Sequence, residues 1–152
     1  MKNGKVNIKI PEVGYAFIDG SYNHATQVYG YGGFLVDAIG IKHILQGFGS
    51  EPDMAKMRNV AGEILGAKAA VYLAEELGMK KLLIFYDYLG IAKWVTGEWK
   101  AKNKHTKSYV KAIHNVCVRC GLSLTFKKVR SHSGIAGNEE ADRLAKEAVG
   151  LL

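Results

Sequence analysis

The chain predicts an α/β fold: a five-stranded mixed sheet, its first three strands antiparallel, with helices on both faces, in the order βββαβααβα. Three observations lead there. Strand-like runs joined by short polar or glycine-containing connections fill the first third of the sequence. The hydrophobic period then changes from two to three and four. After that change, short strand-like runs alternate with helical ones, which implies a mixed sheet rather than a sandwich.

Residues 15–22 (YAFIDGSY) read as the first strand, 27–38 (QVYGYGGFLVDA) as a second weakened by its glycines, and 42–48 as a third. The connections holding Asn23, His24 and Gly40 suggest hairpins. Val60, Ile64, Ala67, Val71 and Ala74 are spaced by four and three, so 57–77 is expected to be one long amphipathic helix closed by Gly78. The apolar run 80–86 (KKLLIFY) suits a strand buried on both faces. A helix over 89–99, interrupted or ended near Gly97, precedes another over 106–120, stopped at Gly121. Residues 122–129 form the last expected strand and 138–149 the last helix. A tail (1–12) and a single domain (13–152) account for the whole chain, without repeat, linker or low-complexity segment.

With 48% apolar residues and 2 prolines among 152, the chain is large and apolar enough to bury a core. No apolar run approaches the roughly 18 residues a membrane span needs. MKNGKVNIKIPE does not read as a signal peptide, and Cys117 and Cys120 are the only cysteines, so a cytoplasmic protein is expected. The formal charge of +7 suits a polyanion. Lysines 93, 100, 102, 104, 107 and 111 face one acid, Glu98, with Trp94, Trp99 and Tyr109 interleaved. That stretch reads either as a phosphate-tracking patch or as a solvated helical face over two core tryptophans.

Four carboxylates fall in places that matter. Asp19 interrupts an apolar strand, where a charge is costly without compensation. Glu63 lies near the start of the long helix, Asp87 ends the buried strand, where α/β folds place ligands, and Asp142 lies in the last helix. Singly, each has a plain structural reading: a turn former, a surface acid, a helix cap, another surface acid. Together they are harder to dismiss, because the first and fourth strands can pair. Two carboxylates about 5 Å apart repel by on the order of 3 kcal/mol at an effective dielectric of 20. Such a cluster holds protons above the usual range or binds divalent ions. An all-oxygen donor set favours Mg²⁺ or Mn²⁺ over zinc, and beside a basic patch it points to phosphoryl transfer.

The set IDGSYN, MRNVAGE, IFYD and RSHSGIAGNEEADRLAKEA resembles type 1 ribonuclease H in chain order and element order, over about residues 15–149. RNVAGE and GEWKAKN look most like the bacterial branch whose longer members carry a separate N-terminal hybrid-binding module, which is not expected here. The resemblance implies the ribonuclease H fold and an endonuclease that hydrolyses the RNA strand of RNA–DNA hybrids with two Mg²⁺ ions (Mn²⁺ as substitute), leaving 5′-phosphate and 3′-hydroxyl ends. It implies that Asp19, Glu63, Asp87 and Asp142 are the metal-binding carboxylates. His132 matches a loop histidine that aids proton movement and product release. Asn59 falls where the family reads ribose 2′-hydroxyls. Arg58 is placed for a phosphate contact, although the family often has a hydroxyl residue there. Asn138 would cap the last helix and support the His132 loop. Ser21 and Asn23 are expected as backbone contacts, and Lys93, Trp94, Trp99, Lys100, Lys102 and Lys104 as the surface that holds the DNA strand. A monomer is expected.

The chain departs from the family in a shortened 94–107 region and in Leu89, which stands where many relatives have a polar residue. CVRC sits near the end of a helix and reads as two reduced thiols. His24, His43, His105 and His114 lack metal spacing, with His105 the one placed to meet a phosphate. Gly30, Gly32 and Gly33 read as bulge or close-packing residues. Two other activities compete: a nuclease or strand transferase acting on DNA through the same fold, and a silent hybrid-binding module.

Overall fold

The computed structural model describes residues 13–130 and 134–152. Strands β1 (Val13–Asn23), β2 (Val28–Val36) and β3 (Lys42–Gly49) form an antiparallel meander. Helices α1 (Pro52–Ala55) and α2 (Asn59–Glu76) follow, then β4 (Lys81–Tyr86), α3 (Gly90–Thr96), α4 (Lys104–Cys120), β5 (Ser123–Lys128) and α5 (Ala136–Ala148). β4 lies parallel to β1, and β5 parallel to β4, giving the order β3-β2-β1-β4-β5. The expected five-stranded mixed sheet is therefore present, with β1 and β4 side by side at its centre.

Side-chain parity along β1 and β2 decides which helix covers which face. Gly20 pairs with Tyr31, and this face meets α2. A Cβ on Gly20 would strike the Asn59 carbonyl and the Glu63 amide, and one on Gly62 would strike the Gly30 carbonyl. Gly30 and Gly32 open on the other face, where a Cβ would meet Val149 and the Leu144–Ala145 backbone of the α5 segment. The glycines expected to weaken β2 are thus the seats that let α5 lie against the sheet. α2 also packs against α4, whose buried Tyr109 donates its hydroxyl to the Ile91 carbonyl at 2.7 Å.

Several expected details are corrected. A separate helix, α1, was not anticipated: Glu51 caps it by accepting from the Asp53 and Met54 amides, but four residues are too few to show a period. The long helix begins at Asn59 rather than 57, because Arg58 takes φ 55°, ψ −127°. Nor is α2 one-sided: sheet and α4 bury Ala61, Ile64, Ala67, Ala70, Val71 and Ala74 on several sides. α3 ends at Gly97, which adopts the left-handed conformation. The last helix starts at Ala136, so Asn138 lies inside it and is not its cap. No helix among the described residues is long and apolar enough to cross a membrane.

The two glycines of α2 predict opposite outcomes. Gly62→Ala forces backbone apart and is expected to cost about 3 kcal/mol or more. At Gly66 the new methyl lies 3.1 Å from the Tyr31 Cβ, and the alanine's helix preference offsets the crowding to within about 1 kcal/mol. Urea unfolding of the two variants checks the difference.

Candidate active site

Four elements deliver the four acids. Asp19 is on β1, Glu63 on the first turns of α2, Asp87 directly after β4, and Asp142 on α5. The close seating of α2 brings Glu63 against Gly20, next to Asp19. Glu63 is 2% exposed and accepts a 3.4 Å hydrogen bond from the Tyr88 amide. Asp19 accepts from the Gly20 amide at 2.9 Å.

The electrostatics separate these acids into two kinds. Burial pushes the Asp19 carboxyl up to about 7; the Gly20 amide opposes this, and the charges of Asp142 and Asp87 and a hydrogen bond with the Asp142 side chain add to it. Burial likewise pushes Glu63 up to about 8, with the Asp19 and Asp87 charges adding to the shift and backbone amides opposing it. Asp87 and Asp142 each have a lysine beside them: Lys128 Nζ is 3.8 Å from Asp87 Oδ1, and Lys146 Nζ is 3.1 Å from Asp142 Oδ2. Among the described residues, neither Asp19 nor Glu63 has an ion pair. Buried oxygens with mutually repelling charges and no organic cation suit a hard divalent ion, so this donor set fits magnesium or manganese.

A recess of about 310 Å³ opens beside these acids, lined by Asn59, Glu63, Asp87, Tyr88, Leu89, Trp99 and Lys128. Asn59 and Trp99 are thus brought to the acids. Trp94 stands behind them, its ring centroid 5.8 Å from Tyr88 and 6.2 Å from Trp99. Lys93 is bonded to Glu98 at 3.1 Å, Lys104 lies 3.6 Å from Asp53, and Lys100 and Lys102 are exposed. Arg58 is exposed immediately before Asn59.

Ser21 and Asn23 do not line this recess. Ser21 is buried, and it pairs with Gly30 beside Ala148 and Val149. The Asn23 side chain donates to the Val149 carbonyl at 2.8 Å and accepts from the Ala25 amide at 3.0 Å, so it ties the hairpin to the end of α5. Asn138, though not a cap, donates to the Arg130 carbonyl at 3.1 Å, which ties α5 to the chain just after β5. His132 lies outside the described residues. His105 meets acids rather than standing free for a phosphate: its Nε2 is 2.9 Å from Asp53 and 3.5 Å from Glu51. These three residues hold possible ligand atoms within 4.8 Å of one another and clip α1 to α4. Sequence reasoning missed Tyr88, Lys128 and Lys146. Only Lys146 carried a signal, its four-residue spacing from Asp142 on a helix.

Comparison with known proteins bears on this geometry. The RNase H family model matches residues 12–150. Human ribonuclease H1 is 32% identical over 102 residues, which cover 60% of this chain and 35% of the human protein. The chain thus aligns with about a third of the length of that relative. RNase H1 of Halobacterium salinarum superposes with a TM-score of 0.67 at 23% identity, covering 90% of this chain and 96% of that one. LC11-RNase H1, whose structure was determined with an RNA/DNA hybrid, superposes with a TM-score of 0.69 at 16% identity, covering 89% and 98%. Both structures share this fold.

Two predictions follow from the acids and from Arg58. Because the folded Asp19 and Glu63 carboxyls bind protons more tightly than in the unfolded chain, their contribution to stability is fully present below about pH 4 and is lost as pH rises through about 7 to 8. The urea midpoint of the metal-free protein should fall between pH 5 and pH 8, Mg²⁺ should recover it at pH 8, and Asp19→Asn should flatten the fall. Arg58→Gly relieves a backbone conformation that side chains rarely adopt and should raise stability by about 1 kcal/mol, while weakening binding of nucleic acid in a filter or anisotropy assay.

Proposed function

Because the chain belongs to the RNase H family, we propose that it is a metal-dependent endonuclease hydrolysing the RNA strand of RNA–DNA hybrids, leaving 5′-phosphate and 3′-hydroxyl ends. The observation that carries this reading is the convergence of Asp19, Glu63, Asp87 and Asp142, with buried Glu63 and half-buried Asp19 raised in proton affinity, beside a recess walled by Asn59 and Trp99. Two Mg²⁺ ions, or Mn²⁺ in their place, supply water activation and stabilisation of the departing 3′-oxygen when bound. The four carboxylates would hold them, Asp19 and Glu63 in their deprotonated form.

The remaining residues position the hybrid. Asn59, at the start of α2, presents an amide to the ribose 2′-hydroxyl, the group that distinguishes RNA from DNA. Arg58 meets an adjoining phosphate. Trp99, with Trp94 and Tyr88 behind it, forms an apolar wall against sugar and base, and Lys100 and Lys102 follow the DNA backbone. His132, two residues after the Arg130 carbonyl that Asn138 holds, handles protons and releases product. Residues 13–152 act as one catalytic domain, in a monomeric cytoplasmic protein.

Cleavage assays on hybrid, duplex DNA and duplex RNA with Mg²⁺ test this reading. Hybrid alone should be cut, in the RNA strand, and Asp87→Asn should lower the rate at least about a hundredfold. Comparable cutting by the variant removes Asp87 from the metal site, and cutting of duplex DNA favours a different nuclease.

A further inference from the structure

Lys128 closes β5, the edge strand beside β4, and pairs in register with Tyr86, the residue before Asp87. Its ammonium stands 3.8 Å from Asp87 Oδ1, and its side chain, 43% exposed, lines the same recess as Asn59, Glu63, Asp87 and Trp99. The lysine beside Asp142 differs in kind. Lys146 is one helical turn along from its acid, a local pair within α5 that is not among the residues lining the recess. Lys128 comes from a separate element and joins the acid to the surface that a substrate must cross.

Half-exposed ion pairs are weak, so this contact is poorly explained as a support of the fold. Its consequence is electrostatic. It places one positive charge at an oxygen of a carboxylate that a divalent ion needs, on a flexible four-carbon stem that can move away without disturbing the backbone. The exposed end of that stem opens toward the recess, where a phosphate offers the ammonium a second anionic partner.

We propose that Lys128 is a positioning residue: it is the resident counter-ion of Asp87 in the metal-free protein, gives way when a divalent ion is bound, and then holds a phosphate of the RNA strand at the rim of the recess. This rests on the metal-dependent nuclease reading above. It requires that Lys128 oppose metal binding and favour substrate binding, a pair of opposite effects that a structural lysine does not produce.

The test uses the full chain as wild type, Lys128→Gln, Lys128→Arg and Asp87→Asn. Mn²⁺ binding without nucleic acid is measured by calorimetry, and KM for hybrid is measured at saturating Mg²⁺ across a salt series. Lys128→Gln should bind Mn²⁺ roughly two- to fivefold more tightly, the range a half-exposed pair supplies. Its KM should rise, with the slope of log KM against log salt reduced by about one. Lys128→Arg should restore both values toward wild type. Unchanged or weaker Mn²⁺ binding by Lys128→Gln, while Asp87→Asn has lost it, overturns the counter-ion assignment and leaves the nuclease reading standing. An unchanged salt slope overturns the phosphate contact. Asp87→Asn binding Mn²⁺ as tightly as wild type overturns the metal site itself, and the role of Lys128 with it.

Discussion

The backbone of α2 touches the backbones of β1 and β2 with no side chain between them, and the positions of the acids depend on that contact. Gly20, Gly62 and the Gly30 carbonyl make it possible. A Cβ at either glycine would force α2 away from the sheet, because the opposing backbone lies within 2.2 Å of where that Cβ would sit. Glu63 would then be out of reach of Asp19. Instead buried Glu63 and half-buried Asp19 lie close enough for each charge to act on the other, and α5, seated on Gly32 from the opposite face, brings Asp142 within hydrogen-bonding reach of Asp19. The glycines therefore determine chemistry as well as packing.

Three carboxylates cannot be drawn around Asp19 without electrostatic consequence. The inner pair, Asp19 and Glu63, answers burial by retaining protons, whereas the outer pair, Asp87 and Asp142, meets ammonium groups from Lys128 and Lys146. Both answers are reversible. A proton leaves as pH rises, and a surface ammonium leaves when a stronger cation competes. The same four groups thus tolerate one another through bonds that a competing cation can displace, which fixed hydrogen bonds to every oxygen would have prevented.

The element order, the mixed sheet and four acids that the structure brings together were legible in the sequence because each leaves a pattern: a change of hydrophobic period, an acid inside an apolar strand, an acid at the end of a buried one, acids on helices. What could not be read was local or relational. α1 is one turn long, and nothing in its sequence distinguishes it from a loop until the Glu51 cap is seen. Asn138 precedes an acidic, helix-like run and looks like a cap, yet the N-cap is Ile135 and the Asn138 amide turns back to Arg130 instead. Asn23 looked available for substrate but spends both ends of its side chain inside the fold. Lys128 is one of two adjacent lysines in a strand, and only the register against Tyr86 places its ammonium beside Asp87.

The net charge of +7 hides an opposition between the surface and the site. Lys100, Lys102 and Lys107 are exposed and form no ion pair among the described residues, whereas Lys93 and Lys104 are bound to Glu98 and Asp53. The unpaired lysines begin directly after Trp99, whose ring lines the recess. A polyanion approaching this surface meets attraction first, at a range set by the Debye length of about 8 Å at physiological salt. It then meets an aromatic wall, and beyond that a group of acids that repels phosphate. Attraction by the lysines alone therefore holds a strand beside the acids without letting it close on them. Closing requires more positive charge inside the cluster than the Lys128 ammonium supplies, and divalent cations held by the carboxylates would provide it.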